Sequence, residues 1–223
     1  MNPELLRSAS AHVLVDDVEV PVLTDDAAHH LFRVLRMRDG EPVTVTDGRG
    51  AWRACRTLGS DLEPESEVAA EARRTNTLTV ACAIPKQDRP EWIVQKLTEL
   101  GIDRIVLLHA ERSVVRWSDD RGAKQLAKLR RVAAEAVQQS RGVWLPVVCG
   151  PVDASDVLPT AVAAEPGAPP IGPGVDTIAI GPEGGWSRVE LEVAAGTASL
   201  GSTVLRVETA AIVAAARMIM HTE

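Results

Sequence analysis

From Leu78 onward the chain alternates short apolar runs with amphipathic stretches, an order that few architectures can satisfy. Leu78–Ile84 and Ile105–Leu108 read as strands. Glu91–Leu100, stopping at Gly101, and residues 121–140 read as helices. In the longer helix Leu126, Leu129, Val132, Ala133, Ala136 and Val137 share one side, while Lys124, Lys128 and Arg131 line another at i, i+4 and i+7. Val147-Val148 and Thr160–Ala164 are weaker strand signals, and the Pro/Gly-rich Glu165–Gly174 reads as a loop. Strands separated by helices pair side by side in parallel, so the spacing predicts an α/β domain over residues 76–223.

Two glycine-bearing turns close this pattern. The first, Gly181-Pro182-Glu183-Gly184-Gly185, follows the apolar run Thr177–Ile180. Ser187 with Glu190 then forms a capping box, which starts a helix at Arg188. The second unit, Leu200-Gly201-Ser202-Thr203-Val204-Leu205-Arg206-Val207-Glu208-Thr209-Ala210, reads as an apolar strand and turn leading into a helix over Ala210–Met220. Ala211, Ala214 and Ala215 would let that helix pack closely, and Arg206 with Glu208 fits a surface ion pair as well as a functional one. A strand that breaks into glycine brings bare backbone groups close to a ligand, and two such loops within thirty residues point to one shared small-molecule site. Neither turn has the spacing of a dinucleotide fingerprint or a Walker loop, which argues against a dehydrogenase or an NTPase.

The first 72 residues have a different texture. Val13–Val15, Val20–Leu23, Val43–Thr46 and Trp52–Cys55 are β-prone runs between Asp/Gly breaks, with one short helix expected over Asp25–Arg36 behind a cap at Thr24 or Asp25. This reads as a small β-barrel, joined to the α/β region through the polar stretch Asp61–Asn76.

Charge refines the reading. The 223-residue chain carries −7 overall, yet residues 76–145 hold 12 Lys/Arg against 8 Asp/Glu inside two acidic flanks. A local basic patch can contact phosphates whatever the sum. Cys55, Cys82 and Cys149 are single and far apart, and His29-His30 lack ligand partners at metal spacing, so neither a disulfide framework nor a metal site is expected. No apolar run approaches the roughly 20 residues of a membrane span, and no secretory signal is read at the start; a cytoplasmic setting is expected.

Taken together, the motifs resemble the RsmE-type 16S ribosomal RNA uridine-N3 methyltransferases of the SPOUT class. The resemblance rests on His30-Leu31-x-x-Val34-Leu35-Arg36, Gly40, Asp47-Gly48, Lys86, Gln95–Gly101, Glu111-Arg112-Ser113, Ile180–Gly185 and Leu200–Ala210. It implies a PUA-like β-barrel over 1–72, a SPOUT domain with a deep trefoil knot over 76–223, and a homodimer. It also implies S-adenosylmethionine as cofactor and 16S rRNA, within the assembled small ribosomal subunit, as partner. By the same resemblance the cofactor lies against Ile180, Gly181, Glu183, Gly184, Gly185, Leu200, Gly201, Val204 and Leu205. Where the family motif ends in a second arginine this chain has Gly142 after Gln138-Gln139-Ser140-Arg141, and the segment 152–174 is short.

Methylating uracil N3 needs an aligned methyl donor, departure of the N3 proton and stabilisation of the resulting anion. Alignment supplies several kcal/mol, and a cation at the developing oxyanion roughly 3–4 kcal/mol more. Arg206 or Arg141 is expected to stabilise the anion, and Glu183 or Glu208 to orient or accept the proton. N3 lies on the pairing edge, so the base must be unpaired or flipped out. Arg33, Arg36, Arg38, Lys86, Arg89, Lys124, Lys128 and Arg131 are the expected RNA contacts. Competing readings are a SPOUT enzyme acting on ribose 2′-O or transfer RNA, and an RNA-binding module without catalysis.

Overall fold

The structure is a computed structural model that describes residues 3–86 and 89–222; Gln87 and Asp88, in the polar segment after the first α/β strand, lie outside it. The chain divides into two compact units: Met1–Arg74 with Ala134–Leu145, and Thr75–Ala133 with Pro146–Glu223. The N-terminal unit therefore includes a segment that the sequence assigns to the α/β region.

In the N-terminal unit, helix α1 (Pro3–Ser8) leads into strand β1 (Ala11–Leu14), helix α2 (Asp25–His29), and strands β2 (Pro42–Thr46), β3 (Ala51–Leu58), β4 (Asp61–Pro64) and β5 (Ala69–Ala70). The sheet runs β1-β2-β3-β4, with β5 on β3. β1 pairs parallel to β2, and the other pairs are antiparallel. The inward positions Val13, Val43, Val45 and Cys55 join Leu31 in one core. Thr24 caps α2 by accepting from the Ala27 N–H at 3.2 Å. The helix stops short of Arg36: a wider π-helical turn spans His30–Val34, and Arg36 turns left-handed at φ +56°. The strand expected at Val20–Leu23 does not form. Pro21 has no N–H to give a ladder, and Val20 and Val22 are 68% and 71% exposed.

His12 is buried inside this unit. Its Nδ1 lies 2.8 Å from Thr44 Oγ1 and its Nε2 2.9 Å from the Gly142 carbonyl. The carbonyl can only accept, so Nε2 carries the proton and Nδ1 accepts from Thr44. Burial lowers its pKa to about 4, which keeps the ring neutral.

The second unit comprises β6 (Thr79–Ala83), α3 (Arg89–Glu99), β7 (Arg104–His109), α4 (Asp119–Ser140), β8 (Val147–Asp153), α5 (Ala154–Val157), β9 (Val162–Ala164), β10 (Thr177–Ile180), α6 (Arg188–Val193), β11 (Gly196–Ala198) and α7 (Val207–Met220); the last turns of α4 count with the first unit. Its sheet order is β11-β9-β10-β6-β7-β8, and every pair is parallel. All five residues of β6 are buried, as a strand covered on both faces requires. Ala81, Val106, Leu108, Ala163 and Ala179 pack with Trp186 and Leu158 on one face. The alternate residues Val80, Cys82, Ile105, Leu107 and Ile178 are buried on the other. α7 packs against α3, β6 and β10 through buried Ala211, Ala214 and Ala215.

No strand forms over Leu200–Leu205. The strand of that unit is the short β11, which pairs only with β9. After Ser199, whose N–H donates to the Pro169 carbonyl at 2.7 Å, the chain leaves the sheet edge as a loop, and Val204 is 83% exposed. An apolar run at a sheet edge has no second neighbour to make it extend.

Candidate functional site

Parallel topology sends the ends of β6, β7, β9, β10 and β11 to one side of the sheet, where α/β proteins hold their ligands. The first glycine turn leaves β10 there. Gly181 lies against the Trp186 indole so closely that a Cβ would sit 3.0 Å from the ring, and the same indole N–H donates to the Ala164 carbonyl at 3.2 Å. Trp186 is thus the floor of the turn and ties it to the end of β9. Gly185 adopts φ +69°, closing the turn with its N–H on the Pro182 carbonyl at 2.8 Å.

The capping box forms as the sequence predicts: Ser187 Oγ accepts from the Glu190 N–H, and Glu190 Oε2 accepts from the Ser187 N–H. Its second oxygen does something the motif does not encode. Glu190 Oε1 accepts from the Glu111 N–H at 2.8 Å, joining the β10 turn to the loop after β7. Arg112, the next residue, donates from Nη1 to the carbonyls of Gly184 and Trp186, at 3.3 and 3.0 Å. Neither contact has a local sequence signal, because the partners are 72 to 79 residues apart. Spacing alone marks Glu111-Arg112-Ser113 as a polar cluster after a strand, and the family resemblance includes it without assigning it a partner.

In the same loop His109 Nε2 accepts from the Trp117 N–H at 3.2 Å. Burial first, and the neighbouring Arg116 second, push the His109 pKa below its ordinary value, against an opposing effect from Asp153.

The second loop, Leu200–Leu205, carries backbone groups that make no hydrogen bond among the described residues. Leu200 is buried, Gly201 and Val204 are exposed and Leu205 is intermediate. Ile180 is buried at the end of β10, and Glu183 is exposed within the first turn. The peptide groups of this second loop, unpaired among the described residues, suit a ligand with polar edges.

Arg206 is exposed as the N-cap residue of α7, and its side chain makes no cap bond. Glu208 is buried. One of its oxygens pairs with Arg89 Nη1 at 3.3 Å, and the other has no hydrogen-bond partner among the described residues. The ion pair of Glu208 thus runs to Arg89 on α3 and not to Arg206, and Arg89, expected as an RNA contact, is engaged there. Arg141 sits in the N-terminal unit in a left-handed conformation, φ +59°, and its guanidinium donates to the carbonyls of Leu6 and Ala9 at 2.9 and 2.7 Å.

Among the expected RNA contacts, Lys128 pairs with Glu91, whereas Lys86, Lys124 and Arg131 are exposed without side-chain partners among the described residues. Arg33, Arg36 and Arg38 are likewise exposed in the N-terminal unit. Among the described residues no three His, Cys, Asp or Glu side chains come together as a metal site, and no helix is long and apolar enough to cross a membrane.

A parallel sheet whose strand ends converge on glycine turns, in a chain that also carries a small β-rich unit, defines an α/β protein whose candidate site lies at the strand ends of the second unit. The family model described as an RNA methyltransferase domain matches residues 72–219, and that described as an RNA methyltransferase PUA domain matches residues 23–56. The chain belongs to this RNA methyltransferase family. It is 32% identical over 222 residues to the ribosomal RNA small subunit methyltransferase E of Synechocystis, covering 88% of this chain and 71% of that one. A probable rRNA-methyltransferase from Porphyromonas gingivalis superposes with a TM-score of 0.76 at 29% identity, over 95% of this chain and 98% of the other. The ribosomal RNA small subunit methyltransferase E of Neisseria gonorrhoeae, solved bound to S-adenosyl methionine, gives a TM-score of 0.76 at 25% identity, over 94% and 97% of the two chains.

Proposed function

We propose that this protein transfers the methyl group of S-adenosylmethionine to N3 of a uridine in 16S ribosomal RNA of the small subunit. The observation that carries the reading is the Gly181–Ser187 turn at the end of β10, floored by Trp186 and clamped by Glu190. Its support is the family membership and the relative solved with S-adenosyl methionine. The cofactor supplies an electrophilic methyl group. Gly181, Gly184 and Gly185 let the backbone approach it, while Ile180, Leu200 and Leu205 supply apolar surface. Gly201, Val204 and the exposed Glu183 complete the set in this reading.

The structural surroundings favour Arg206 over Arg141 as the cation for the uracil anion. Arg206 is exposed and makes no side-chain bond among the described residues, whereas Arg141 holds two backbone carbonyls. Glu208 is preferred to Glu183 for the proton, since it holds a buried oxygen without a partner among the described residues. Lys86, Lys124 and Arg131, with Arg33, Arg36 and Arg38, are the cations left free for phosphate.

The active form in this reading is a cytoplasmic homodimer. α7 leaves Ile212, Val213 and Ile219 partly exposed and Met220 exposed, an apolar face of the kind a second copy covers. The N-terminal sheet is read as a PUA-like barrel. The last segment is read as a trefoil knot, in keeping with the pairing of Ser199 to Pro169 and Ile171 beside the departing chain.

The direct test is incubation of protein and cofactor with unmodified small subunits, followed by mass spectrometry of nucleosides. N3-methyluridine is the expected product. A methylated ribose, a methylated transfer RNA or no cofactor binding by calorimetry would each replace this reading.

A further inference from the structure

We infer that Arg112 is a positioning residue that holds the glycine turn in its cofactor-binding shape, an inference that rests on the reading above that S-adenosylmethionine binds at this turn. A turn with glycines at 181, 184 and 185 has little side-chain packing of its own to fix its backbone. Within the turn, Trp186 beneath Gly181 and the Gly185–Pro182 bond fix part of it, and the rest is held from outside.

Arg112 supplies it by holding two peptide groups. The Trp186 carbonyl is held by Arg112 Nη1 at 3.0 Å, and the other end of that same planar unit, the Ser187 N–H, is held by Glu190 at 2.8 Å. The Gly184 carbonyl is held by Arg112 at 3.3 Å, while the Gly185 N–H at the other end of its peptide unit donates to Pro182 at 2.8 Å. Both peptide planes are therefore tied at each end. Remove Arg112 and each keeps only one tie.

The strut that carries Arg112 is itself anchored. The Glu111 N–H donates to Glu190. The Ala110 N–H donates to Ser113 Oγ at 3.0 Å, and the Ala110 carbonyl accepts from the Ser113 N–H and from Arg116 Nη2. Contact is also close in the other direction, since a Cβ at Gly184 would sit 3.3 Å from the Arg112 Cβ. A side chain at 184 would make the turn or the strut give by a few tenths of an ångström.

The test compares wild type, Arg112→Ala, Arg112→Lys, Gly184→Ala and the Arg112→Ala/Gly184→Ala double variant. It measures S-adenosylmethionine affinity by calorimetry, steady-state kinetics and the melting temperature without cofactor. A charge-assisted hydrogen bond is the loss expected, so Arg112→Ala raises Kd and KM for the cofactor roughly tenfold. KM for RNA stays unchanged, and Arg112→Lys recovers part of the loss. Gly184→Ala weakens cofactor binding in the wild type and in Arg112→Ala alike, because alanine at 112 keeps the Cβ and carbonyl that a side chain at 184 would meet. Wild-type cofactor affinity in Arg112→Ala overturns the assignment, as does a defect confined to RNA affinity. A wild-type protein that binds no cofactor overturns the underlying reading and this assignment with it.

Discussion

Replacing Glu190 by alanine removes a side chain that accepts from two loops at once. Glu190 is 7% exposed, and Ser187, whose N–H it satisfies, is 5% exposed, so that donor is left buried without a partner. An orphaned buried N–H costs about 1–3 kcal/mol, and the bond to Glu111, from an exposed residue, adds about 1 kcal/mol. The sum, about 2–4 kcal/mol, corresponds to roughly 4–16 °C in melting temperature at this chain length. Glu190→Gln falls between, because its amide accepts one N–H but turns a donor toward the other. Glu192→Ala on the same helix is the control: Glu192 is 59% exposed in its pair with Arg188, and such pairs are worth a few tenths of a kcal/mol. Thermal unfolding followed by circular dichroism separates the cases. If Glu190→Ala melts as little below wild type as Glu192→Ala does, the clamp contributes no stability and the reasoning fails.

Other consequences rest on single groups. His12 is held neutral in the fold, with a pKa of about 4 against 6.5 unfolded, so the unfolded chain binds the extra proton between those values. Its contribution is fully present above pH 6.5 and declines as pH falls toward 4, by about 1.4 kcal/mol per unit and about 3 kcal/mol in all; urea titrations at pH 7 and pH 5 should differ accordingly, and His12→Gln should flatten that difference. Arg141→Ala should lower the melting temperature by loosening Leu6 and Ala9, whereas Arg206→Ala should cut turnover at unchanged melting temperature; near-normal turnover in both variants refutes the scheme for the anion. Neutralising Lys124 and Arg131 together should reduce the slope of log affinity against log salt by about 1 per lysine or arginine that contacts phosphate. Lys128→Ala should change it less, since Lys128 already pairs with Glu91.

Much of the scaffold was legible because it is written locally. Alternation of apolar runs and helices from Leu78 gave the parallel sheet, and Ser187 with Glu190 gave the start of α6 to the residue. The misreadings share one cause. Val20–Leu23 and Leu200–Leu205 have the composition of strands, yet a strand exists only where a neighbour accepts its ladder, and neither run has one. Arg36 and Arg141 adopt left-handed backbone that glycine would ordinarily mark, so no residue type announced those turns.

The site divides in the same way. Sequence alone determined the two glycine loops, the basic row on α4 and the cap beneath the first turn, because each depends on spacings of a few residues. Only the tertiary structure decided who holds those loops. Trp186 reaches Ala164, Glu190 reaches Glu111, Arg112 reaches Gly184 and Trp186, and Arg89 reaches Glu208. Each joins segments 22 to 119 residues apart. Distance along the chain carries no information about such pairs; a parallel sheet brings them together by gathering its strand ends on one side.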